Sequence, residues 1–447
     1  MKTISYLNKN IEVIDEADIV VIGGGVAGSV AAISSLLENK SCIIVEKTNF
    51  LGGSATNSLV IPFMGSKVSK MDGLNVKLNE QYLGFDTNAF YNGNSKNAIF
   101  ANPITYAMFY DKKVRELGGK IYYDTTFIDT IRENNKIQYV LCYIHNGLYA
   151  IKGKCFVDTS AEGVVASSCN CTLMHGNELN NNVHQAVSMR FEMANVDKER
   201  LVNWLRSINY GGFGIPANPN DIEFVRDDSY KDIIEKAILN NEVSKDDMRY
   251  IQAFRVPGKP GVFAFNAPQL SDKYHSDEPE GYSICIKDSL TAIRRYSNFF
   301  INHIPGFEKA FVSNVASQLG VRESVRVKTK YVLTNDDYTK RARFKDGIAK
   351  GDWYVDVHAD DDSTNDERYQ PGEYYEIPYR SLIVDECDNL IIGGRIIGSS
   401  FRVEASVRIQ ITLRDLSEVI GKACAYSIDN NIDLNKIDGS IFKDSIL

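Results

Sequence analysis

The sequence predicts an α/β fold built around a parallel β-sheet, and three observations indicate it. The β-branched run 19–22 leads into a glycine-rich turn and then into a helix over 26–38. A second buried strand follows over 41–45. Near the other end of the chain, a short strand over 389–392 ends in paired glycines and precedes a helix over 408–427. The sheet is therefore expected to draw strands from both ends of the chain.

The glycine-rich turn has the spacing of a phosphate-binding motif. Gly23, Gly25 and Gly28 fill the three glycine positions of G-x-G-x-x-G. The first allows a sharp turn, the second lets the backbone approach a pyrophosphate, and the third allows close packing of helix on strand. The helix begins at Val26 and Ala27, where free N–H groups and the positive end of the helix dipole favour phosphate.

An acidic residue ends the second strand. Glu46 follows the turn at close to the roughly 20 residues expected between the glycines and a ribose-binding acid. Its carboxylate can accept hydrogen bonds from ribose hydroxyls and would repel a 2′-phosphate. The motif predicts FAD or NAD rather than NADP; a ligand-free glycine turn and a plain surface acid are the alternatives.

A second glycine pair favours FAD over NAD. It lies in the segment 47–57, which directly follows the acid, and the residues expected at the cofactor are Lys47, Gly52, Gly53, Ser54 and Thr56. In NAD dehydrogenases the chain usually continues into another βα unit at this point. Paired glycines instead indicate a backbone that passes very close to a ligand.

These motifs resemble a known family. "GGGVAGSVAA" followed by "VEKTNFLGGSAT" resembles the FAD-dependent oxidoreductases related to the glutathione-reductase and fumarate-reductase flavoproteins. Three later stretches are similar to the same family: "KCFVDTSAEGVVA" at 154–166, "GVRESVRV" within 303–337, and "IPYRSL" with "NLIIGGR" within 376–400. The resemblance implies a Rossmann-type, glutathione-reductase-like FAD-binding domain with a β-meander and an inserted α+β substrate or cap domain.

The same resemblance divides the chain into segments. It implies that 1–170 and 376–447 form the FAD-binding domain and that 171–375 form the substrate or cap domain. A strand over 121–127 is expected, and the resemblance implies that its end, near Phe127, lies beside the adenine. The Asn146-Gly147 turn within 136–158 predicts the hairpin of the meander.

The return segment is expected at the flavin ring. The resemblance implies that Gly394 and Arg395, with the helix N-terminus near Ile409, lie beside the isoalloxazine. The positive end of the helix dipole would stabilise the anionic reduced flavin.

Proton transfer is expected from the "VDVH" run. His358 follows Asp356, and on an extended strand both side chains point to one face. Histidine transfers protons near neutral pH, so His358 is a catalytic candidate. A structural role for this histidine is the alternative.

Three arginines are candidates for holding the substrate. Arg322 lies in "GVRES", where on a strand it would share a face with Arg326 while Glu323 points away; a plain salt bridge is the alternative. Arg402 and Arg408 follow the glycine turn and could hold a carboxylate bidentately. The glycine-rich arginine context of fumarate reductases is missing, which argues against fumarate.

Composition excludes several function classes. The formal net charge of −8 argues against nucleic acid as a partner. The eight cysteines include no C-x-x-C pair, so neither a metal site nor dithiol catalysis is expected, although a Cys169–Cys171 redox pair is left open. The acidic stretch 360–367 is expected to be a solvated loop rather than a metal site. We expect no signal peptide, no membrane partner and a cytoplasmic location.

These observations predict an FAD-dependent oxidoreductase that transfers a hydride between a small organic substrate and the flavin. The electron donor or acceptor is unidentified, and homo-oligomerisation is left open. Two alternatives are weighed: a flavin-binding scaffold or redox sensor without turnover, and a tRNA-modifying flavoprotein. The acidic balance of the chain argues against the latter.

Overall fold

The structure is a computed structural model. It describes residues 3–6, 9–91, 98–270, 275–358 and 368–445. The expected solvated loop at 360–367 lies outside the described residues.

The helices are α1 Val26–Leu37, α2 Leu74–Phe85, α3 Pro103–Glu116, α4 Val164–Ser168, α5 Lys198–Ser207, α6 Lys231–Leu239, α7 Pro279–His303, α8 Asn335–Thr339, α9 Phe401–Val407 and α10 Gln410–Asn430. The strands are β1 Thr3–Tyr6, β2 Lys9–Ile22, β3 Cys42–Val45, β4 Pro62–Phe63, β5 Phe90–Tyr91, β6 Ile99–Phe100, β7 Lys120–Tyr122, β8 Thr125–Glu133, β9 Lys136–Ile144, β10 Gly147–Asp158, β11 Leu173–His175, β12 Phe191–Ala194, β13 Phe224–Val225, β14 Gln252–Arg255, β15 Phe263–Phe265, β16 Phe311–Val315, β17 Val325–Val327, β18 Gly347–Gly351, β19 Tyr375–Pro378 and β20 Leu390–Ile392.

Strand β10 is the centre of the main sheet. The second half of β10 pairs in parallel with β2 on one side and with β20 on the other, so that Phe156 is aligned with both Val20 and Leu390. Strands β3 and β7 continue the parallel sheet beyond β2. The first half of β10 pairs antiparallel with β9, which pairs with β8. The fold is mixed α/β with a parallel central sheet, as a Rossmann-type FAD-binding domain requires.

The parallel strands are apolar because helices cover them. The four residues of β3 are all buried, as are the three of β20. Helices α1 and α10 pack closely on each other: a Cβ at Gly421 would lie 2.5 Å from the Cβ of Ser34. Glycine at that crossing lets the two helices approach, and each begins at the same edge of the sheet. Both helix N-termini therefore lie close to the carboxyl ends of the parallel strands.

A second hydrophobic core forms around a separate antiparallel sheet. Its strand order is β13-β14-β15-β12-β16. The Phe191 and Phe265 rings stack at 4.8 Å between centroids, and Tyr296 and Phe300 of α7 pack against Phe265. Leu59, which follows the second glycine pair, belongs to this core. The two cores are thus linked beside the glycine turns, while the domain bounds at 170 and 375 stay a prediction.

Several predicted elements are confirmed. The helices expected over 26–38 and 408–427 correspond to α1 and α10, and the hairpin at Asn146-Gly147 joins β9 to β10. No helix in the described part of the chain is long and apolar enough to cross a membrane.

The strands expected over 121–127, around Arg322 and at the "VDVH" run differ from the observed ones. The run 121–127 is divided between β7 and β8, with Asp124 at φ +49° between them, because β7 joins the parallel sheet and β8 joins the meander. In 322–333 only Val325–Val327 forms a strand. Residues 352–358 form no strand among the described residues, since their backbone groups bond to other segments such as Ala186 and Ser406.

Candidate cofactor and substrate site

Two glycines in the first turn are required by packing. Gly23 has φ +95°, and a Cβ there would lie 2.5 Å from the carbonyl oxygen of Thr159. A Cβ at Gly28 would lie 1.9 Å from the carbonyl oxygen of Gly23. These two positions shape the turn, and neither leaves room for a side chain.

Gly25 differs from its neighbours because space is open in front of it. A Cβ there would meet nothing closer than the Cα of Gly53, at 4.0 Å. Gly25 is the N-cap of α1, and among the described residues no side chain caps this helix. The first helical residues, Val26 and Ala27, therefore present backbone N–H groups to the open space, as a pyrophosphate site needs.

The second glycine pair packs directly on the first turn. The Gly52 N–H donates to the carbonyl oxygen of Gly24 at 2.8 Å, and a Cβ at Gly53 would lie 2.9 Å from the Cα of Gly25. The Thr56 hydroxyl donates to the carbonyl oxygen of Leu51 at 2.8 Å, which holds the turn. The side chains of Lys47 and Ser54 are exposed beside it.

Glu46 lies buried under the turn. Its Oε2 accepts from the Gly24 N–H at 2.7 Å, and its Oε1 accepts from the N–H and hydroxyl of Thr48 at 2.8 and 2.7 Å. A carboxylate has about four acceptor sites, so these three bonds leave one for a ribose hydroxyl. The Thr125 N–H donates to the Glu46 carbonyl oxygen at 3.0 Å, which brings the start of β8, and with it half-buried Phe127, close to Glu46.

The return segment also reaches the first turn. Gly394 has φ +77°, and a Cβ there would lie 3.7 Å from the Cβ of Ala27. Ile409 is the N-cap of α10, and no side chain among the described residues caps that helix. Buried Oε1 of Gln410 and Oγ1 of Thr412 have no hydrogen-bond partner within the described residues. The N-terminus of α10 thus has free polar groups for a ligand.

Arg395 is held by protein atoms. Its Nε donates to the carbonyl oxygen of Ala161 at 3.1 Å, and its Nη2 to Glu162 Oε1 at 2.6 Å and Ser324 Oγ at 3.0 Å. Its Nη1 donates to the carbonyl oxygen of Val321 at 2.5 Å. The side chain clamps the glycine turn to two neighbouring segments. Contact between this guanidinium and the cofactor stays a prediction.

The structure brings His358, Asp356 and Arg408 together. His358 Nε2 lies 3.3 Å from Asp356 Oδ1, and Arg408 Nη2 lies 3.7 Å from Asp356 Oδ2 and 2.9 Å from its carbonyl oxygen. The side chains are between 15% and 25% exposed, so that solutes can reach them. The Ala186 N–H donates to the His358 carbonyl oxygen at 2.6 Å and fixes the end of the run.

Arg322 joins this cluster from the other side. Its Nη1 donates to the carbonyl oxygen of Ala186 at 2.5 Å and to Ser188 Oγ at 3.0 Å. Two residues that no sequence signal indicated complete the group: the charge of Arg190 acts on Arg322, and the Tyr250 ring lies edge-on to that of His358 at 6.3 Å between centroids. Neither lies in a recognisable motif, so only the tertiary structure reveals them. We call Arg190, Tyr250, Arg322, Asp356, His358 and Arg408 the arginine cluster.

The cluster has a surplus of positive charge. Burial and the neighbouring charges of Arg408 and Arg190 lower the pKa of Arg322 to about 9, and burial with Arg408 lowers the pKa of Arg190 to about 10. Burial and Arg322 lower the pKa of His358 to about 4, so its ring is neutral at pH 7. Burial opposes ionisation of Asp356, but His358 and the arginines hold the pKa of this carboxyl well below its usual range. Three guanidinium groups are therefore close enough to act on one another, and Asp356 is the carboxylate that acts on Arg322 and Arg408.

Arg402 and Arg326 have contacts that the sequence did not indicate. Arg402 Nε donates to Asn335 Oδ1 on α8 at 3.4 Å, and a role for Arg402 in holding substrate stays a prediction. Arg322 and Arg326 do not lie on one strand, because β17 begins only at Val325. Arg326 forms a buried ion pair with Glu323, with Nη1 2.5 Å from Oε1.

Glu404 on α9 is a further residue that the sequence did not suggest. Its Oε2 accepts from Gln185 Nε2 at 3.0 Å, and its buried Oε1 has no partner in the described part of the chain. Burial raises the pKa of Glu404 to about 8, although Arg408 partly offsets it. The Gln185 Oε1 accepts from the His358 N–H at 3.3 Å. Glu404, which is protonated at pH 7, is thus linked to His358 of the arginine cluster through the side-chain amide of Gln185.

Cys169 and Cys171 are both buried and free, as are the other six cysteines, and a redox role for this pair stays a prediction.

A family model described as FAD dependent oxidoreductase matches residues 18–446. The chain belongs to the FAD-dependent oxidoreductase family. It is accordingly a flavoenzyme that uses FAD.

The residues of this FAD-dependent oxidoreductase fit the cofactor. The open space at Gly25 faces the uncapped N-terminus of α1, as a pyrophosphate requires. Buried, unpartnered polar atoms at the start of α10 offer further contacts within the described residues. Both features lie at the carboxyl end of the parallel strands, where ligands bind in such sheets.

Solved structures with similar folds include other flavoproteins. A geranylgeranyl bacteriochlorophyll reductase-like protein from Thermoplasma acidophilum is 14% identical, with a TM-score of 0.50 over 97% of this chain and 83% of that one. L-proline dehydrogenase from P. horikoshii is 12% identical, with a TM-score of 0.43 over 96% of each chain. p-Nitrophenol 4-monooxygenase from Pseudomonas putida is 9% identical, with a TM-score of 0.48 over 97% and 84%. A search of curated proteins found no match. At these identities the likeness concerns the fold alone.

Proposed function

We propose that this FAD-dependent oxidoreductase acts on a small organic anion and recognises its carboxylate. The clustering of Arg190, Arg322 and Arg408, with the carboxylate of Asp356 beside the latter two, carries the proposal. Burial and, after it, the confinement of like charges disfavour the charged form and lower the pKa values of Arg190 and Arg322. A bound carboxylate would offset this repulsion and raise those pKa values again.

The arginines have donors for such a ligand. Arg408 Nε is buried and has no hydrogen-bond partner among the described residues, while its Nη2 is held by Asp356. A guanidinium presents its N–H groups in a planar fork that matches a carboxylate. Arg322 is held at Nη1 by Ala186 and Ser188, which orients the rest of its fork. Each of these two guanidinium groups is held at one nitrogen, so its other N–H groups can bind substrate.

His358 is suited to accept a proton. Its ring is neutral at pH 7, and Asp356 lies against Nε2, which favours the tautomer with the proton on that nitrogen. Nδ1 then carries the lone pair that takes a proton from substrate. Asp356 stabilises the imidazolium that results. When bound, FAD supplies the two-electron chemistry as a hydride acceptor or donor.

We further propose a glutathione-reductase-like arrangement with the second core as a substrate or cap domain. The parallel order β7-β3-β2-β10-β20 and the meander β8-β9-β10 support the first part. The arginine cluster supports the second. Arg190 precedes β12 of the second sheet, whereas Arg408 lies between α9 and α10, which contribute to the main core. The substrate site would then lie between the two cores.

The test is an anaerobic titration of the FAD-loaded protein with pairs of compounds, each a hydroxy or amino acid and its amide. We expect flavin bleaching by an acid at a concentration roughly 10- to 100-fold below that of its amide, since hydrogen bonds to charged groups contribute about 1.5–3 kcal/mol. Arg322→Gln and Arg408→Gln should lower the ratio between the amide and acid concentrations that bleach the flavin. Arg200→Gln is the matched control. It removes an exposed ion pair between Arg200 on α5 and Glu308, and it should leave the ratio between the amide and acid concentrations unchanged. Equal potency of acids and amides would refute anion recognition.

A further inference from the structure

A second group of ionisable side chains lies next to the arginine cluster along the chain. His184, His275 and Asp277 each direct one ligand atom toward a common space, and these atoms lie within 4.8 Å of one another. His184 is buried, Asp277 is half-buried and His275 is exposed. No metal site was expected from the spacing of the cysteines or from the acidic stretch 360–367, and His184 and His275 lie far apart in the chain without ligand spacing. Only the fold brings them together.

His184 is held as metal-binding histidines are. Its Nδ1 lies 2.9 Å from Glu323 Oε2, and its Nε2 lies 3.1 Å from Asp277 Oδ1. A histidine ligand usually donates its second ring N–H to a carboxylate, which orients the ring and fixes the tautomer. Glu323 takes that position here. The Nε2 lone pair then faces a carboxylate oxygen, and this contact is repulsive unless a proton or a cation lies between them.

Asp277 is oriented from behind in the same way. Its Oδ2 lies 2.9 Å from His175 Nδ1. Its Oδ1 is buried and forms no hydrogen bond with any described residue, even though His184 Nε2 is only 3.1 Å away. Two ligand atoms bound tetrahedrally to zinc lie roughly 3.3–3.5 Å apart, given bond lengths of about 2.0–2.2 Å. The observed 3.1 Å is a few tenths of an ångström below that separation, so a shared cation requires only a small outward shift of the two atoms.

The charges around the group call for a divalent ion. Arg326 is the cation that contacts Glu323, and it also lies 3.2 Å from Glu178. With neutral histidines, the carboxylates of Glu323, Glu178 and Asp277 exceed Arg326 by two negative charges. A divalent cation balances this excess. Imidazole nitrogens favour zinc, copper, nickel or iron over magnesium and calcium.

We propose that His184, His275 and Asp277 form a binding site for a zinc-class divalent cation, with the fourth position left to water or another small ligand. The Glu278 N–H donates to the His275 carbonyl oxygen at 3.1 Å in the turn before α7, so two ligands come from a short turn at a helix start. His275 is the exposed member of the three. The ion would tie this turn to the segment that leads from His184 to Ala186 and so to His358. The site is independent of the proposed substrate.

The test uses FAD-loaded protein that has been treated with a chelator and dialysed. Titration with Co²⁺ should give d–d absorption at longer wavelength than the flavin bands, saturating at one ion per chain, and Zn²⁺ should abolish it by displacement. Zn²⁺ should also raise the midpoint of thermal unfolding, because a ligand that binds only the folded state stabilises it. His275→Ala and Asp277→Asn should lose both effects. His275 is exposed, so its removal should not impair folding.

The matched control is His303→Gln. His303, at the other end of α7, also contacts a carboxylate, that of Glu242, but it is not part of the three-ligand group. This variant should keep the Co²⁺ spectrum and the stabilisation by Zn²⁺. Failure of the wild-type protein to bind Co²⁺ would overturn the proposal, and so would binding that persists in His275→Ala.

Discussion

His358 Nε2 lies 3.3 Å from Asp356 Oδ1 across a single intervening residue. The contact does not need a strand, since residues 352–358 form none among the described residues. It depends instead on the backbone bond from Ala186 to His358 and on Arg408, which binds the Asp356 carbonyl oxygen. The pair is thereby presented to the same space as the three arginines.

The first prediction concerns the pH dependence of substrate oxidation. The pKa of His358 is lowered to about 4, so the ring is an available base above that pH and is protonated below it. We expect kcat/KM of the FAD-loaded enzyme to fall as pH decreases through about 4. His358→Gln should lower kcat/KM by about 100- to 10,000-fold, the usual contribution of general base catalysis, and should remove this acid limb.

The flavin spectrum of His358→Gln is the control for this measurement, since the substitution lies outside the glycine turns and should leave the bound-FAD spectrum as in the wild type. A variant that keeps the wild-type rate at neutral pH would show that His358 has a structural role.

The second prediction separates cofactor binding from folding within one turn. Gly25 has φ −61° and ψ −173°, which alanine adopts freely, and its Cβ position is open. We expect Gly25→Ala to fold normally but to bind FAD at least about 10-fold more weakly, because the methyl group would occupy the space proposed for the pyrophosphate. Fluorescence titration of the FAD-free protein measures the affinity.

Gly84→Ala is the matched control. Gly84 lies in α2, nothing lies within 4 Å of its Cβ position, and the change should stabilise the helix by up to about 1 kcal/mol without altering FAD affinity. If Gly25→Ala binds FAD as tightly as the wild type, the cofactor does not approach the turn at this point.

The cofactor-binding half of the site was predictable because its signals are local. A strand, a glycine turn, a helix and a terminal acid follow one another between 19 and 46, and their order alone specifies the geometry. The structure adds that Gly23 and Gly28 are required by packing while Gly25 leaves open space.

The arginine cluster was only partly predictable, because its residues come from five separate stretches of chain. His358 and Arg408 were found from short motifs, but Arg190 follows no motif and enters the cluster only through the pairing of its stretch with the segment at 316–320. Arg402 was named because it follows the glycine turn. The structure places it on α9 with its Nε donating to Asn335 Oδ1, and its contact with substrate stays a prediction.

The third prediction tests the crossing that positions the start of α10. A Cβ at Gly421 would lie 2.5 Å from the Cβ of Ser34 and 2.6 Å from the Ser35 nitrogen. Gly421→Val should therefore force α1 and α10 apart and destabilise the protein by about 1–3 kcal/mol, the usual cost of overpacking. Urea unfolding followed by circular dichroism measures this loss. Stability equal to the wild type would mean that the two helices can separate at little cost.

The last prediction concerns the buried carboxyl group of Glu404. Burial raises its pKa from 4.5 to about 8, so between these values the folded state holds a proton that the unfolded state has released. Its contribution to stability is complete below pH 4.5 and is lost progressively up to about pH 8. Glu404→Gln keeps an oxygen that accepts from Gln185 but carries no titrating proton. Between pH 5 and pH 8 the free energy of unfolding of this variant should therefore rise by a few kcal/mol relative to that of the wild type. Urea unfolding across this range measures the difference, and Glu199→Gln, at an exposed position of α5, should show none. Parallel pH profiles for Glu404→Gln and the wild type would mean that Glu404 is ionised in the folded protein.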